Sequence, residues 1–235
     1  MSKKNSIVLN HKNCFSRFEQ ISNIYSNFKK KILKFRTNKF LVAVSGGPDS
    51  LALAAMCKVF EVSNKKKKFY YININHGIRK NSYTESKYVK KILKKQNISL
   101  KIIINKKKIT KNIQHNARKI RYSLLSKECK KKKIHLILTG HHKDDQIETF
   151  LIRLSRGSGV KGLSAMGVTS SLDSKIKVFR PFLAESKKNL IFITKKVFGN
   201  FVKDPSNQNK KFLRSKVRKL LPILKKYGIS DDQII

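Results

Sequence analysis

The sequence predicts an α/β fold in which a parallel β-sheet is flanked by helices on both faces. From Phe40 onward, apolar segments of four to seven residues alternate with helical segments of about ten residues or more. Apolar strands separated by helices are typical of parallel sheets that are covered on both faces. A glycine-rich turn follows the first apolar segment, where the chain is expected to pass from a strand into a helix.

The predicted elements follow one another in a regular order. We predict strands at Phe40–Val44, Phe69–Asn75, Leu100–Ile104, Ile134–Leu138 and Ile176–Phe179. We predict helices at Leu51–Phe60, Tyr83–Lys95, Ile113–Cys129 and Asp144–Leu154, and near Lys187–Phe198. Such sheets bind ligands at the carboxyl ends of their strands, near the point where the strand order reverses, so the site is expected there.

Three regions are predicted along the chain. Residues 1–37 are expected to form a basic helical extension, because apolar residues recur at helical spacing between Phe15 and Leu33. A targeting sequence is the competing interpretation, but the segment is rich in Lys rather than Arg and shows no small-residue cleavage site. Residues 38–200 are expected to form the α/β domain, and residues 201–235 a helical tail.

The composition excludes several classes of protein. The chain has 235 residues and is 40% hydrophobic, so it can bury a core and is not a disordered polybasic tail. No apolar stretch approaches the ~18 residues of a membrane span, so no membrane partner is expected. Cys14, Cys57 and Cys129 form no CxxC pair, which argues against a disulfide scaffold or a zinc site and favours the reducing cytoplasm.

The chain is strongly basic, with 55 Lys+Arg against 13 Asp+Glu and a formal net charge of +42 at pH 7. Clustered positive charge favours a polyanionic partner such as a nucleic acid. However, only ten of the basic residues are Arg, and an AT-rich coding sequence produces the same excess of Lys. The charge therefore supports a nucleic-acid partner without proving one.

A phosphate-binding loop is predicted between the first strand and the first helix. The loop, which lacks the GxxxxGK[ST] pattern of a Walker A motif, consists of Ser45, Gly46, Gly47, Pro48, Asp49 and Ser50. The glycines let a phosphate approach the backbone N–H groups, and the following helix presents free N–H groups and a positive dipole end. Pro48 suits a helix start, and the two serines add hydroxyl donors. The Asp49 carboxylate would repel a phosphate unless a cation bridged the two, which implies Mg²⁺.

A second group of candidate residues follows the fourth predicted strand. It consists of His141, His142, Asp144, Asp145 and Glu148. Adjacent acids with histidines suit a hard-cation site as well as a zinc site, and we favour Asp145 joining Asp49 around Mg²⁺. One of the two adjacent aspartates is expected to cap the helix that begins there. Glu148 is left between a supporting role in the site and a place on the helix surface.

Further candidates lie on the third helix and in two loops. They are Arg118 and Arg121 on the helix, Arg156 and Gly157 in one loop, and His76 and Arg79 in the other. The two helical arginines are three residues apart and share a face, where they suit a triphosphate or an RNA phosphate; ion pairing on the surface is the alternative. The other four residues are expected near the site, with a simple turn or a structural role as the alternative.

Several motifs follow in a specific order and carry a family resemblance. Besides the Ser45–Ser50 loop, they are Asn75–Arg79, His115–Tyr122, Gly140–Thr149, Arg156–Leu163, Phe179–Phe182 and Asp204–Asn207, with Arg214 and Arg218 before Leu221-Pro222. The loop resembles the SGGxDS loop of the PP-loop ATP pyrophosphatases. Together, the motifs over residues 38–224 resemble the tRNA(Ile)-lysidine synthetase family, which implies a Rossmann-like PP-loop fold of the adenine nucleotide α-hydrolase type.

Members of that family use ATP to join free lysine to C2 of the wobble cytidine of tRNA(Ile) with a CAU anticodon. The resemblance implies an adenylated cytidine, release of pyrophosphate and then AMP, and a change of decoding from AUG to AUA. It implies ATP binding by Ser45–Ser50 and His141, and Mg²⁺ on Asp49 and Asp145. It implies catalytic roles for Asp49, Arg118, Arg121 and Asp145. It implies contacts to tRNA or substrate from His76, Arg79, Arg156 and Gly157.

The sequence departs from the family pattern in three ways. Gln114 stands where the family usually has Glu, and Ser215 stands where it usually has Asn. Many relatives carry further domains after Leu221-Pro222, so this chain is either a fragment or a short enzyme, and a homodimer is compatible with it. A tRNA thiolase of the same superfamily is one alternative, against which the lack of a CxxC pair argues. An RNA-binding protein without catalysis is the other, against which the intact Asp49 and Asp145 argue.

Overall fold

The structure is a computed structural model that describes residues 15–107, 109–164, 166–202 and 213–234. Its strands are β1 (Lys39–Ala43), β2 (Lys68–Asn75), β3 (Leu100–Ile104), β4 (Leu136–Leu138), β5 (Thr169–Ser171) and β6 (Lys177–Phe179). Its helices are α1 (Glu19–Leu33), α2 (Pro48–Ser63), α3 (Ser82–Lys94), α4 (Ile113–Lys132), α5 (Lys143–Leu154), α6 (Val160–Leu163), α7 (Lys187–Phe198), α8 (Leu213–Lys226) and α9 (Asp231–Ile234). The Asp204–Asn207 motif and Cys14 lie outside the described residues.

The strands form one sheet in the order β3-β2-β1-β4-β6-β5. The five strands expected from the sequence are present and pair in parallel, which confirms the predicted fold class. The edge strand β5 was not predicted, and it pairs antiparallel with β6. Its residues, Thr169 to Ser171, are polar and largely exposed, so they carry no apolar pattern by which a strand is recognised.

Helices cover both faces of the sheet, and β1 shows how the two cores divide. Phe40 and Val42 point into a large apolar cluster with residues of α1, α2 and α7. Leu41 points to the opposite face and packs with Leu125 and Cys129 of α4. Because α2 is enclosed by the sheet, α1 and α7, nearly all its sides are apolar. No helix in the described ranges is long and apolar enough to cross a membrane.

The predicted N-terminal helix corresponds to α1, and it packs against the α/β core. Ile21, Phe28 and Ile32 are almost completely buried in the large cluster. The Phe28 ring lies 6.4 Å from the ring of Phe60 on α2. The Lys31 ammonium also donates to the Pro181 carbonyl, 2.7 Å away. Burial of this helix face contributes to the main core, while the boundary at residue 37 stays a prediction.

The strand order reverses between β1 and β4, because the chain extends to β2 and β3 on one side and to β6 on the other. The Ser45–Ser50 loop leaves the carboxyl end of β1, and the segment with His141 and His142 leaves the carboxyl end of β4. Because β1 and β4 are neighbours in parallel, these two segments meet at one edge. The sheet therefore positions both candidate groups where ligands of such folds bind.

Candidate functional site

The Ser45–Ser50 loop is fixed by a close approach between its backbone and α3. Gly46 has φ +94°, a left-handed conformation that side chains rarely adopt. A Cβ at this position would lie 2.4 Å from Cγ2 of Val89, so the residue must be glycine. The Gly46 carbonyl accepts a hydrogen bond from the Val202 amide at 3.0 Å, which ties the loop to the segment after α7.

The Ser50 hydroxyl holds the loop together from inside. It accepts from the backbone amides of Ser45 and Gly46, each at 3.1 Å, and donates to the Gly47 carbonyl at 3.0 Å. The Ser45 hydroxyl also donates to it at 3.1 Å. Both hydroxyl groups, expected as donors to a phosphate, are therefore used within the loop. The anion-binding capacity rests instead on the first N–H groups of α2 and its dipole.

Two further contacts position the start of α2. The buried Thr194 hydroxyl on α7 donates to the Pro48 carbonyl at 2.6 Å. Gly140, at the end of β4, approaches so closely that a Cβ there would lie 2.7 Å from the Asp49 carbonyl oxygen. The loop after β4 and the start of α2 therefore touch through their backbones. This contact holds Asp49 beside the second candidate group.

His142 joins the acidic residues of the two segments. Its Nε2 lies 3.6 Å from Oδ2 of Asp49 and 3.5 Å from Oδ2 of Asp145, and its Nδ1 lies 3.5 Å from Oδ1 of Asp144. Burial alone would lower the pKa of His142, but its contacts with Asp144 and Asp49 and the nearby negative charges raise it to about 10. His142, predicted only as a member of the candidate cation group, is the N-cap of α5.

The two adjacent aspartates have different structural tasks. Asp145 accepts from the His142 amide at 3.2 Å and caps α5, which confirms that one of the pair caps this helix. Asp144 accepts from the Lys187 amide at 3.0 Å and so holds the start of α7. The pKa of Asp144 is lowered by its bond to His142, while burial raises it and the Lys187 amide lowers it.

The arrangement of Asp49 and Asp145 fits a bound Mg²⁺. Oδ1 of Asp49 is buried and has no hydrogen-bond partner, which is costly unless a cation or a donor completes it. Both carboxylates approach the same nitrogen of His142, so they converge on one region. No group of three metal-ligating side chains occurs in the described part of the chain. Two carboxylates with water and phosphate oxygens are a common set for Mg²⁺.

His141 faces a cluster of arginines rather than the carboxylates alone. Its Nδ1 lies 2.8 Å from the Thr139 hydroxyl. Burial lowers the pKa of His141 to about 4; the charge of Asp145 opposes this shift, and the charges of Arg118, Arg180 and Arg214 add to it. The imidazole is therefore neutral at pH 7 and can only exchange hydrogen bonds there. Arg180 and Arg214 appeared in the sequence only as parts of motifs.

Arg118 and Arg121 share a helix but face different neighbours. The Arg118 guanidinium lies over the Tyr122 ring at 5.0 Å and acts on His141. Arg121 lies near His76, where burial first and then its charge lower the pKa of His76 to about 4. Both ring nitrogens of His76 are buried and have no hydrogen-bond partner. The expected pair of guanidiniums on one phosphate is therefore not assembled by the protein alone.

The remaining predicted loop residues have other surroundings. Arg79 forms an ion pair with Glu85 of α3 at 2.8 Å, so its guanidinium anchors the loop after β2. Arg156 and Gly157 are exposed and follow the carboxyl end of α5. At ~1.5 Å per residue, the end of α5 at Leu154 lies about 14 Å from Asp145, and Arg156 lies beyond that end. The structure does not bring these two residues to the carboxylate cluster.

Glu148 is buried rather than on the helix surface. Only 2% of its side chain is exposed, and Arg218 of α8 donates to it from Nε at 2.5 Å and from Nη2 at 3.2 Å. Arg214 lies 3.8 Å away from the same carboxylate. The surface interpretation of Glu148 was wrong. The available signal in the sequence was its spacing of three residues from Asp145, which places both residues on one helix face.

Comparison with known proteins adds relatives that share most of this chain. The tRNA(Ile)-lysidine synthase of Wolbachia pipientis wMel is 40% identical over 189 residues, which are 80% of this chain and 44% of the relative. The tRNA(Ile)-lysidine synthase of Zymomonas mobilis is 34% identical over 189 residues, 79% of this chain and 56% of the relative. The chain thus spans about half the length of these curated relatives.

A solved structure shares the fold of this chain, and a family model identifies its family. The U34-tRNA thiolase of Methanococcus maripaludis, solved with its [4Fe-4S] cluster, has a TM-score of 0.75 and 20% identity. The likeness covers 90% of this chain and 74% of that chain, and shows a shared fold. A protein-family model described as a PP-loop domain matches residues 19–224. With the glycine loop at the strand-order reversal, this match shows that the chain belongs to the PP-loop family.

Proposed function

We propose that this chain carries the catalytic site of an ATP-dependent ligase that joins lysine to C2 of the wobble cytidine in tRNA(Ile) with a CAU anticodon. The observation that carries the proposal is the meeting of the Ser45–Ser50 loop with Asp145 at one sheet edge. A sequence identity of 40% to a tRNA(Ile)-lysidine synthase, over 80% of the chain, favours this reaction among those of the family. The ligation would take place in the cytoplasm.

ATP would bind with its phosphates on the Ser45–Ser50 loop. The first turn of α2 offers N–H groups without intrahelical acceptors, and its dipole favours the negative charge of the pyrophosphate. Thr194 and Gly140 hold that turn in place before ATP arrives, so little reorganisation is needed. Mg²⁺ held by Asp49 and Asp145 would supply positive charge to the phosphate oxygens.

In the first step, O2 of the cytidine would attack the α-phosphorus of ATP, and the bond to the bridging oxygen would break to release pyrophosphate. Negative charge accumulates on the phosphate oxygens, and Arg118 can offset it from the side of His141. The neutral His141 can exchange a hydrogen bond there without adding a positive charge. The product is a cytidine activated at C2 by an adenylate.

In the second step, the lysine ε-amine would attack C2, and O2 would leave with AMP. The ammonium of free lysine must first lose a proton, because only the neutral amine is a nucleophile. Asp49 or Asp145 is the candidate base, through a carboxylate oxygen that does not hold the Mg²⁺. The new C–N bond gives lysidine, which pairs with A and changes decoding from AUG to AUA.

Roles in tRNA binding stay predictions for the peripheral residues. His76 has open hydrogen-bonding nitrogens and lies beside Arg121, which supports a contact with substrate. The ion pair of Arg79 and the distant position of Arg156 and Gly157 give less support. A homodimer is part of the proposal only as an option that the lysine-transfer assay does not require.

The cysteines argue against sulfur transfer as the reaction. Cys57 and Cys129 are both fully buried. Burial raises the pKa of Cys57 well above its usual value and the pKa of Cys129 to about 12. Thiols of this kind are not thiolates at neutral pH and do not carry sulfur. Ligation therefore accounts for the described residues better than thiolation.

The decisive test incubates the protein with ATP, Mg²⁺, labelled lysine and a tRNA(Ile) transcript that has a CAU anticodon. Label should enter this tRNA and not a matched transcript in which the wobble cytidine is replaced by uridine. Release of pyrophosphate and AMP should match incorporated lysine in equal amounts. The proposal fails if label enters neither transcript, or enters both alike.

A further inference from the structure

A groove with positive charge and an aromatic ring runs along α4, outside the nucleotide loop. Its cavity has a volume of about 590 Å³. One wall is formed by His115, Arg118, Lys119 and Tyr122 of α4, and the other includes Leu172 and Asp173 before β6. The α4 residues recur at intervals of three and four, so they lie on one helix face. His115, Arg118 and Lys119 are exposed and Tyr122 is half-buried, so the face is available to a partner.

The inner end of the groove adjoins the proposed active site. Arg118 lies over the ring of Tyr122 at 5.0 Å and acts electrostatically on His141, which follows β4. A flat cation stacked on an aromatic ring presents the surface that a nucleobase uses. The groove therefore begins where the reacting nucleotide would lie and leads outward along α4.

Behind Tyr122 lies a buried cation without a matching acid. Arg180 is 6% exposed, and its Nη1 donates to the Gly167 carbonyl at 2.8 Å. Its Nε is buried without a hydrogen-bond partner, and it has no ion pair with a carboxylate among the residues described. Burial lowers the pKa of Arg180, the Tyr122 hydroxyl raises it, and the charge of Arg118 lowers it again. Uncompensated buried charge is costly, so an anionic group from a ligand would stabilise this region.

We propose that this groove binds the single-stranded RNA next to the reacting cytidine, with one base on the Tyr122 ring and one backbone phosphate at Arg118 and Arg180. The inference rests on the proposed function, because it places a tRNA anticodon loop at the site. It adds the strand's path and the residues that hold it.

The charges and the site favour RNA over an acidic protein segment. An aromatic ring with cations at helical spacing suits stacked bases and phosphates, whereas acidic side chains need no flat ring. The acid on the far wall of the groove, Asp173, already accepts hydrogen bonds from the Ser126 hydroxyl at 3.1 Å and from the Lys175 and Ile176 amides at 2.9 and 2.8 Å. It also pairs with Lys130 of α4 at 3.6 Å, so its carboxylate is already engaged by these partners.

The test uses an anticodon stem-loop RNA in which a fluorescent 2-aminopurine replaces the nucleotide next to the wobble cytidine. Tyr122→Leu should weaken binding about tenfold and remove the quenching that stacking produces. Tyr122→Phe keeps the ring and should stay within about twofold of the unmodified chain. The matched control is Tyr70→Leu, because Lys132 lies over the Tyr70 ring at 4.7 Å near the other end of α4. Its RNA affinity should not change.

A phosphate contact has its own signature in salt dependence. Arg180→Met should lower the slope of log affinity against log salt by about one unit, and Arg180→Lys should restore most of it. The exposed Arg36, before β1, provides the control Arg36→Met, which should leave the slope unchanged. Thermal melting of each variant separates loss of folding from loss of binding.

The outcomes distinguish the groove from the ligase proposal. If lysine is incorporated and both the Tyr122→Leu and Arg180→Met variants bind RNA as the unmodified chain does, the groove assignment is overturned and the ligase remains. If RNA binding depends on the groove but no lysine is incorporated, the groove assignment stands and the ligase fails. A quench that persists in Tyr122→Leu would place the neighbouring base elsewhere.

Discussion

The two sides of the site are held in different ways. On the nucleotide side, the Ser50 hydroxyl, Thr194 and the Gly46 carbonyl hold the backbone of the loop with bonds inside the protein. The buried Oδ1 of Asp49 is left there for a cation. On the α4 side, His76 and Arg180 keep buried nitrogen atoms without partners. The protein thus preorganises the phosphate loop and leaves the other side to be completed by its substrate. Preorganisation suits a small ligand that must be oriented for reaction, and open partners suit a large one.

The largest effect is expected from a substitution on the nucleotide side, at Asp49. Asp49→Asn should lower the rate of pyrophosphate release by at least about 10²-fold, because it removes one of the two proposed Mg²⁺ carboxylates and a candidate base. The affinity for tRNA should stay within about threefold, since no phosphate contact is lost. Stopped assays of pyrophosphate and filter binding of tRNA measure the two quantities.

The matched control for Asp49→Asn is Glu61→Gln, at the other end of the same helix. Glu61 pairs with Lys58 at 3.0 Å and is far from the loop, so turnover should not change. Turnover of Asp49→Asn equal to that of the unmodified chain would show that the carboxylate assignment is wrong.

A second prediction concerns the nucleotide side alone. Gly46→Ala should lower the free energy of unfolding by about 2–4 kcal/mol, because a left-handed φ and the contact with Val89 both oppose the new Cβ. Gly199→Ala has φ +76° but open space around its Cβ, so only the backbone strain remains and it should cost less, about 1–2 kcal/mol. Urea unfolding of both variants gives the comparison.

A second change can test the cause of the Gly46 effect. Val89→Ala removes the methyl groups that the new Cβ would meet, so the double variant should recover part of the difference. Equal losses for Gly46→Ala and Gly199→Ala would mean that φ alone matters and that α3 does not hold the loop.

The nucleotide side could be predicted from the sequence better than the α4 side. The Ser45–Ser50 loop was predictable because glycines, a proline and a helix start are local signals, and the position of Asp145 beside Asp49 followed from parallel strands meeting at one edge. The bonds inside the loop were not, because Ser50 reaches its partners only once the turn has formed.

The contacts on the α4 side join residues that are far apart in the sequence. Arg180 follows β6 and Tyr122 lies on α4, and nothing in the local sequence of either indicates that they meet. Glu148 is likewise buried by Arg218, which is 70 residues away. Contacts of this range are set by packing of α8 on α5 and of α4 on the sheet, which local patterns do not encode.

The smallest expected effect is a pH dependence of the free energy of unfolding, which comes from His76 on the α4 side. The pKa of His76 is about 4 in the folded chain against a usual value near 6.5, so the unfolded state takes up the proton first as the pH falls. Stability should therefore decrease from pH 6.5 to pH 4 and change little from this source above or below that window. His76→Gln should remove this part of the dependence.

Urea unfolding at several pH values between 7 and 4 measures the slope for the unmodified chain and for His76→Gln. The control is His135→Gln, since His135 is an exposed histidine at the start of β4, on the opposite edge of the sheet. A shallower slope in His76→Gln alone is the expected result. If both variants keep the full slope, His76 is not held neutral by burial and Arg121. The buried nitrogens on the α4 side would then already have partners without substrate, and the difference between the two sides would disappear.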